Sequence, residues 1–175
     1  MGKGKNNGSV SVRTIFHNNL EIRDIPPKGK GVFAKVDLLA NEVIFEVIGD
    51  VVTADQMGNI SNPKYNDYLQ ISKDAYIGLS GDIDDFVNHS CNPNCALRIV
   101  GNRALLHTLY VVKAGREITF DYSVTSSETT DQWAMKCNCG AFACRDIISG
   151  YQYLNDTEKK CYESLGIVPT YVKGK

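Results

Sequence analysis

The chain has 175 residues, a formal net charge of -1 and a pI of about 6.3. Its length suits one domain with a hydrophobic core, and hydrophobic and charged contents of 43% and 22% are ordinary for a soluble globular protein. The near-neutral charge excludes a general basic field for nucleic acid, and no apolar run approaches a membrane span or a signal-peptide core. We therefore expect an intracellular, cytoplasmic protein that binds neither nucleic acid nor membrane directly.

The predicted elements are many short strands followed by one late helix. Residues 1–9 are polar and Gly-rich, which predicts a flexible N-terminal arm. The strand candidates are apolar or β-branched runs between turn residues, at 10–16, 20–25, 32–36, 43–52, 68–71, 75–79, 96–100, 103–112 and 117–122. A turn or loop is expected at 26–31, which includes Gly29-Lys30-Gly31, a tight hairpin at Gly101-Asn102 and a flexible connector at 123–131. The lack of βαβ alternation excludes a doubly wound nucleotide-binding fold.

The predicted helix follows the last cysteine run. Asn155, with Glu158 three residues later, predicts an N-terminal cap. The helix is expected to run to about Leu165 and to stop at Gly166. Its apolar positions are spaced for one packing face, and they are Cys161, Tyr162 and Leu165.

The densest group of reactive side chains lies at residues 85–95. Asn88-His89-Ser90-Cys91 places an amide, an imidazole, a hydroxyl and a thiol on consecutive residues between apolar strands. Burying such polar groups costs free energy unless each finds a partner. The stretch is therefore predicted to form a site.

Three of the six cysteines lie in one short run, Cys137, Cys139 and Cys144, with the spacing Cys-x-Cys-x4-Cys. Thiols this close cannot all pair with one another as disulfides, and without a secretory signal a reduced metal site is the better interpretation. As thiolates they supply three corners of a tetrahedral zinc site. Cys91 is the natural fourth ligand. Cys95 is a competing candidate that we interpret, like Cys161, as a core residue.

The motifs of this chain resemble those of the SET-domain protein-lysine methyltransferases. Residues 88–94 match that family's Asn-His-Ser-Cys-x-Pro-Asn motif. Residues 117–122 are similar to the end of its Gly-Glu-Glu-Leu-Thr-Phe-Asp-Tyr motif, with Arg116 and Ile118 as the differences. Gly29-Lys30-Gly31 stands where the family has a Gly-x-Gly.

The resemblance covers about residues 20–148 and implies a mainly β fold. This fold has several small sheets, short helices, a knot-like threading of the C-terminal segment and, here, one C-terminal helix. It predicts a SET domain at 10–136, a post-SET zinc loop at 137–148, and a C-terminal helix and tail at 149–175.

The resemblance also implies two bound groups. The residues it assigns to S-adenosyl-L-methionine are Gly29, Lys30, Gly31, Tyr68, Asn88, His89 and Tyr122. Asn88 and His89 would hold the amino-acid and adenine parts of this cofactor, and neither is implied as a metal ligand. The residues it assigns to a closed, structural Zn²⁺ site are Cys91, Cys137, Cys139 and Cys144.

The implied reaction is methyl transfer to the side-chain amine of a lysine in a protein or peptide substrate, such as a histone or another basic protein. Tyr122 is predicted to orient the amine and to stabilise charge, and Tyr68 to flank the same channel. Phe120 occupies the position that the family uses to set product number, so di- or trimethylation is expected. If histones are the substrate, the protein would act in a nucleus or in a host cell.

Two other functions are considered. One is a catalytically inactive SET-like module that binds peptides and is stabilised by zinc. The other is a DNA-binding zinc module, which the near-neutral pI argues against. Methyl transfer from labelled cofactor would distinguish the enzyme from both.

Overall fold

The computed structural model describes residues 17–57, 67–127 and 133–173. The strands and α-helices within these ranges are β1 (Leu20–Ile25), β2 (Gly29–Ala34), β3 (Val43–Val47), β4 (Val51–Thr53), α1 (Ala54–Met57), β5 (Leu69–Gln70), β6 (Ala75–Ile77), β7 (Asn88–His89), β8 (Cys95–Val100), β9 (Arg103–Thr108), β10 (Thr119–Phe120), β11 (Ala134–Lys136), β12 (Ile147–Ser149) and α2 (Asp156–Ser164). Short 3-10 helices lie at His17–Asn19, Ile83–Phe86, Tyr122–Val124 and Tyr151–Tyr153. None of the helices in these ranges is long and apolar enough to cross a membrane.

The described strands form five small sheets, which confirms the mainly β prediction. Two sheets have three strands, in the orders β3-β9-β8 and β4-β6-β5. The other three are pairs: β1 with β2, β11 with β12, and β7 with β10, the last of which is parallel. The predicted hairpin turn joins β8 to β9, and Gly101 adopts a φ of 59° there, a conformation that favours glycine.

A main hydrophobic core lies between the three-stranded sheets and β2. Its fully buried side chains are apolar and mostly β-branched, as strand packing favours, and include Val32, Ile44, Ile71, Leu106, Val112 and Ile118. Cys95 also lies in this core and is 0% exposed, which confirms its interpretation as a core residue.

The predicted turn or loop at 26–31 is correct for residues 26–28, which form a turn, but wrong for Gly29-Lys30-Gly31, which is the first part of β2. In the β1–β2 ladder, Gly29 is paired with Ile25 and Gly31 with Arg23. Because the six-residue register is continuous, the ladder holds these glycines in extended pairing that their own propensity does not favour. The strand ends at Ala34, two residues before the predicted end.

Helix α2 has the predicted boundaries but not the predicted packing face. The Asn155 side chain accepts a hydrogen bond from the backbone of Glu158, whose side chain accepts one from Asn155, so the capping box is complete. Tyr162 is buried, whereas Leu165 is 49% exposed and Cys161 is also exposed. The interpretation of Cys161 as a core residue is therefore wrong, because this short helix turns only one of the three apolar positions inward.

The predicted connector at 123–131 is ordered and buried at its start. The 3-10 helix Tyr122–Val124 occupies it, with Ser123 at 0% and Val124 at 5% exposure. Val124 packs into a second hydrophobic cluster that also contains Tyr151, Leu154 and Tyr162. The polar composition of the segment did not reveal this packing. The end of the connector, at 128–131, lies outside the described residues, as do the predicted arm at 1–9 and strand at 10–16.

Candidate active site and metal centre

The parallel pairing of β7 with β10 brings two of the sequence motifs side by side. Asn88 lies opposite Thr119, and His89 lies opposite Phe120. The backbone N–H of Ser90 extends the pairing by donating to the carbonyl of Phe120 at 3.0 Å. Motifs that are about thirty residues apart in sequence therefore share one edge of the molecule.

A cavity of about 200 Å³ opens beside this strand pair. Its aromatic wall contains all three predicted catalytic residues and three further rings, namely Phe45, Tyr68, Tyr76, Phe120, Tyr122 and Trp133. Three carboxylates also line it, those of Asp67, Asp84 and Asp85. The cavity is therefore apolar in its walls and negatively charged, a combination that suits a long cationic side chain.

The hydroxyl of Tyr122 is fixed against the backbone. It donates a hydrogen bond to the carbonyl of Val87 at 2.8 Å, and the ring lies 4.8 Å from Phe120 and 5.4 Å from His89, measured between centroids. Burial raises the pKa of Tyr122 well above its ordinary value, so the phenol is neutral. With its proton committed to Val87, the oxygen can only accept a hydrogen bond from a group in the cavity.

On the other side of β7, the side chain of Asn88 joins β2 to β10. Its amide nitrogen donates to the carbonyl of Lys30 and to Oε1 of Glu117, both at 2.8 Å. Glu117 also forms an ion pair with Lys28, with 2.7 Å between Oε2 and Nζ. Since both amide hydrogens are used, the amide oxygen of Asn88 is left as an acceptor, and it has no hydrogen bond within the described part of the chain.

The two glycines of this region are required for different reasons. A Cβ at Gly31 would lie 2.8 Å from Oε1 of Glu117 and 2.9 Å from Nδ2 of Asn88, closer than carbon approaches such atoms. Gly29 has open space around it but a φ of 86°, a backbone conformation that residues other than glycine rarely adopt. These glycines therefore let the β2 backbone lie against Asn88, in a cradle that we define as Lys28–Gly31, Asn88 and Glu117.

His89 stands between the cradle, the cavity and the cysteines. Its Nδ1 accepts the backbone N–H of Tyr122 at 3.2 Å, and its Nε2 lies 3.2 Å from Sγ of Cys91. Burial lowers the pKa of His89 to about 4, so the ring is neutral at pH 7. Nδ1 also lies 3.4 Å from Oδ1 of Asp121. In the tautomer that accepts the Tyr122 N–H at Nδ1, the ring proton is on Nε2 and points to the sulfur of Cys91.

The predicted zinc ligands from the two separate motifs come together. The ligand atoms of His89, Cys91, Cys137 and Cys139 all lie within 4.8 Å of one another. Cys144 is not in this group of four, but its thiol interacts with those of Cys137 and Cys139. The structure thus gathers all four predicted thiols, and it adds an imidazole that was not expected among them.

The geometry and chemistry of the thiols fit Zn²⁺. The sulfurs of Cys91 and Cys137 are 3.8 Å apart, which is about the edge of a tetrahedron with Zn–S distances near 2.3 Å. Backbone N–H groups of Arg145 and Asp146 point at the sulfurs of Cys91 and Cys144, both at 3.4 Å. Such N–H···S contacts stabilise thiolates and are typical around metal ligands.

The thiols also differ in how readily they ionise. Burial raises the pKa of Cys91 to about 11. Burial likewise opposes ionisation of Cys139, but backbone N–H groups of Cys91 and Ala141 and the neighbouring thiols lower its pKa to about 7. One thiolate is thus available near neutral pH to begin metal binding, and a bound cation would favour deprotonation of the others.

Sequence reasoning missed the buried ion pair beneath this centre. The guanidinium of Arg145 donates to both carboxylate oxygens of Asp121, each at 2.7 Å, and to the hydroxyl of Ser123 at 3.1 Å. The Asp121 side chain is 1% exposed and also accepts from the hydroxyl of Tyr162 at 2.7 Å. The sequence signal that could have indicated this ion pair is Arg145, a cation directly after Cys144, the last cysteine of the run. Trp133, the only tryptophan of the chain, was also missed.

A model of the SET domain family matches residues 29–123. This range is just over half of the 175 residues, and the chain belongs to the SET domain family. The fold and the grouping of motifs predicted from sequence agree with this membership.

Curated relatives include several histone-modifying proteins. The histone-lysine N-methyltransferase, H3 lysine-36 specific, of Cryptococcus neoformans is 33% identical over 162 residues, covering 85% of this chain and 19% of the relative. An H3 lysine-4 specific counterpart from Emericella nidulans is 29% identical over 132 residues, covering 68% of this chain and 11% of the relative. The variant-silencing SET domain-containing protein of Plasmodium falciparum is 36% identical over 127 residues, covering 63% of this chain and 5% of the relative. The chain spans less than a fifth of the length of these relatives.

Two solved structures share the fold. The crystal structure of KRYPTONITE in complex with mCHG DNA and SAH has a TM-score of 0.61 and 24% identity, and covers 75% of this chain and 29% of that chain. Its complex with mCHH DNA, H3(1-15) peptide and SAH has a TM-score of 0.61 and 23% identity, with the same coverage. These likenesses confirm the predicted SET-domain fold.

Proposed function

We propose that this protein transfers a methyl group from S-adenosyl-L-methionine to the side-chain amine of a lysine in a protein or peptide substrate. One observation carries the proposal: Tyr122 lines the cavity, while its backbone N–H holds His89, the neighbour of Asn88 in the cradle. A cationic side chain in the cavity and a cofactor in the cradle would therefore meet at Tyr122. The SAH in both solved structures is the demethylated form of that cofactor.

The cradle suits the amino-acid part of such a cofactor. The free amide oxygen of Asn88 is an acceptor for an ammonium group, and the Lys28 ammonium nearby is a partner for a carboxylate. We propose that Gly29, Lys30 and Gly31 contact the cofactor through their backbone, and that His89 and Tyr122 bound it on the cavity side. When bound, the cofactor supplies an electrophilic methyl group on a positively charged sulfur.

The cavity residues have to deprotonate and orient the lysine side chain by the environment that they provide. Aromatic walls at Tyr68, Phe120 and Tyr122 desolvate an ammonium and so lower its pKa, which releases the amine lone pair. The Tyr122 oxygen, whose own proton is committed to Val87, can accept a hydrogen bond from the amine and fix its direction. Because burial raises its pKa, Tyr122 remains a protonated, neutral phenol and cannot serve as the general base. The surplus proton therefore leaves to solvent before transfer, and catalysis rests on alignment.

Phe120 and Tyr68 are proposed to set the shape of this channel. Phe120 adds no hydroxyl beside Tyr122, so a methylated amine can turn and enter a further round, which supports di- or trimethylation as the expected product. The ring of Tyr68 stands close to Gly78, where an added Cβ would lie 3.1 Å from Cε1. That close packing fixes the ring at the edge of the cavity.

We further propose that Cys91, Cys137, Cys139 and Cys144 hold one structural Zn²⁺ ion. The proton on Nε2 of His89 favours its role as a hydrogen-bond donor to the Cys91 sulfur and not as a ligand. Four thiolates close the coordination sphere and leave no open position for catalysis. The ion would link residues 137–144 to Cys91, which follows β7. It would thereby stabilise the region where the cradle meets Tyr122.

A basic protein is the proposed substrate class, and histone H3 is the first member to test. The carboxylates of Asp67, Asp84 and Asp85 at the cavity favour a positively charged segment, and curated relatives carry histone H3 specificity in their names. Action on histones would place the protein in a nucleus or host cell. The absence of direct nucleic-acid binding stays a prediction.

The test is transfer of labelled methyl groups to histone H3, other basic proteins and a cell extract. Tyr122→Phe should abolish labelling of lysine. Tyr110→Phe is the matched control, because its hydroxyl also donates to a backbone carbonyl, that of Pro93, but lies outside the cavity. Calorimetry with the cofactor separates the alternatives. If zinc-loaded protein neither binds the cofactor nor labels any substrate, the enzyme proposal is wrong and a peptide-binding module is favoured.

A further inference from the structure

The 3-10 helix Tyr122–Val124 is held at both ends by the C-terminal segment, which we define as residues 150–173. At its N-terminal end, the Asp121 side chain accepts the N–H of Ser123 at 3.0 Å and the hydroxyl of Tyr162 at 2.7 Å. At its C-terminal end, the hydroxyl of Tyr171 donates to the carbonyl of Thr125 at 3.0 Å. Two tyrosines of one segment thus hold the two caps of a single turn.

The middle of the same turn is also anchored in this segment. Val124 is 5% exposed and packs with Tyr151, Leu154 and Tyr162 in the second hydrophobic cluster. The single proton of the Tyr171 hydroxyl is shared between the carbonyl of Thr125 and that of Gln70, which lies at 2.7 Å. Gln70 and Thr125 both line the cavity, so Tyr171 joins two parts of the cavity wall.

A three-residue 3-10 helix has little stability of its own, since its hydrogen bonds are few and poorly aligned. Its position must therefore come from tertiary contacts. Tyr122 itself contacts Val87 and His89, and the two ends and Val124 are held by Arg145 and the C-terminal segment. Burial raises the pKa of both Tyr162 and Tyr171, so both hydroxyls keep the protons that they donate. The family match ends at residue 123, within this turn and before the segment that holds it.

We propose that Tyr162 and Tyr171 are positioning residues that fix Tyr122 for methyl transfer, so that the C-terminal segment forms part of the active site. The inference rests on the proposed function for the role of Tyr122. Neither hydroxyl lies in the cradle, and cofactor affinity is therefore expected to be independent of them. Their effect is confined to the geometry of the turn and of the cavity wall.

The test compares Tyr162→Phe and Tyr171→Phe with Tyr151→Phe. Tyr151 is the matched control because its ring lies in the same cluster, while its hydroxyl contacts Glu163 at 3.3 Å instead of the turn. With zinc-loaded protein, we expect each of the first two variants to lower kcat by about tenfold or more, as misplacement of a reacting group does. The KM for the cofactor should stay within about twofold, and the control should keep the kcat of the wild type.

Hydrogen exchange followed by mass spectrometry gives a second readout that needs no activity. The backbone amides of residues 122–125 should exchange faster in Tyr162→Phe and Tyr171→Phe than in Tyr151→Phe. Unchanged exchange, or a kcat equal to that of the control, would overturn the inference. If the wild type itself transfers no methyl group to any substrate, the proposed function fails, and the exchange comparison still decides whether the two tyrosines hold the turn.

Discussion

Replacing Asp121 by asparagine removes the charge at the centre of the buried network while keeping the size of the side chain. In the wild type, both carboxylate oxygens bind the Arg145 guanidinium at 2.7 Å, and the two side chains are 1% and 15% exposed. Asparagine would leave this cation with Glu158, at the longer distance of 3.4 Å, as its only carboxylate partner within the described residues. Removing one partner of a buried pair costs about 3–5 kcal/mol of unfolding free energy.

Such a loss is a large part of the free energy of unfolding of a domain, which is about 5–15 kcal/mol. We would measure it by urea unfolding of zinc-loaded protein, followed by the fluorescence of Trp133, the only tryptophan. Asp37→Asn is the control, because Asp37 pairs with Lys113 at the same 2.7 Å but their side chains are 52% and 71% exposed. That exposed pair should contribute little or nothing.

The double variant Asp121→Asn with Arg145→Gln tests the cause of the loss. If an unpaired buried cation is responsible, removing it should make the double variant more stable than Asp121→Asn alone. Zinc content is measured for each variant, since Arg145 also contacts Cys91 through its backbone. The reasoning is refuted if Asp121→Asn unfolds at the same urea concentration as Asp37→Asn with equal zinc content.

Three further outcomes are expected. Gly31→Ala should weaken cofactor binding by at least about tenfold in calorimetry, because its Cβ would lie 2.8 Å from Oε1 of Glu117. Gly101→Ala strains the β8–β9 turn through its φ of 59° but lies outside the cradle, and should bind the cofactor normally. Phe120→Tyr should shift products toward monomethyl-lysine in mass spectrometry, and an unchanged distribution would contradict the role of Phe120. Stability should fall as the pH drops, since the folded protein lowers the pKa of His89 from 6.5 to about 4 and the unfolded chain takes up the proton first. At about 1.4 kcal/mol per unit of pKa shift, His89 contributes roughly 3 kcal/mol to the free energy of unfolding. This contribution is present above pH 6.5 and lost by about pH 4. Urea unfolding of the wild type and of His89→Gln at several pH values would measure it.

The structural features that depend on residues close in sequence were predicted correctly. The Gly101-Asn102 hairpin and the Asn155–Glu158 capping box formed as expected, because each is stabilised by hydrogen bonds between residues close in sequence. Gly29-Lys30-Gly31 did not follow its local preference, since pairing with β1 decides its conformation. The same limit explains Cys161, because residue spacing within α2 cannot say how the helix is turned against the core.

The candidate site was predictable as a set of residue types but not as an arrangement. The two cysteine motifs could be joined from sequence because a zinc ion needs four ligands, and the chain offers three in one run and a fourth at Cys91. No such valence rule links Asp121 to Arg145 or to Tyr162. Their grouping depends on how the chain returns beneath β7 and β10 after the cysteine run. A family match that ends at residue 123 likewise stops before Tyr162 and Tyr171, which hold the ends of the Tyr122–Val124 turn. The geometry of the proposed catalytic tyrosine is thus set partly by residues that its own motif does not contain, and substitutions of Tyr162 and Tyr171 should alter methyl transfer without removing a contact to cofactor or metal.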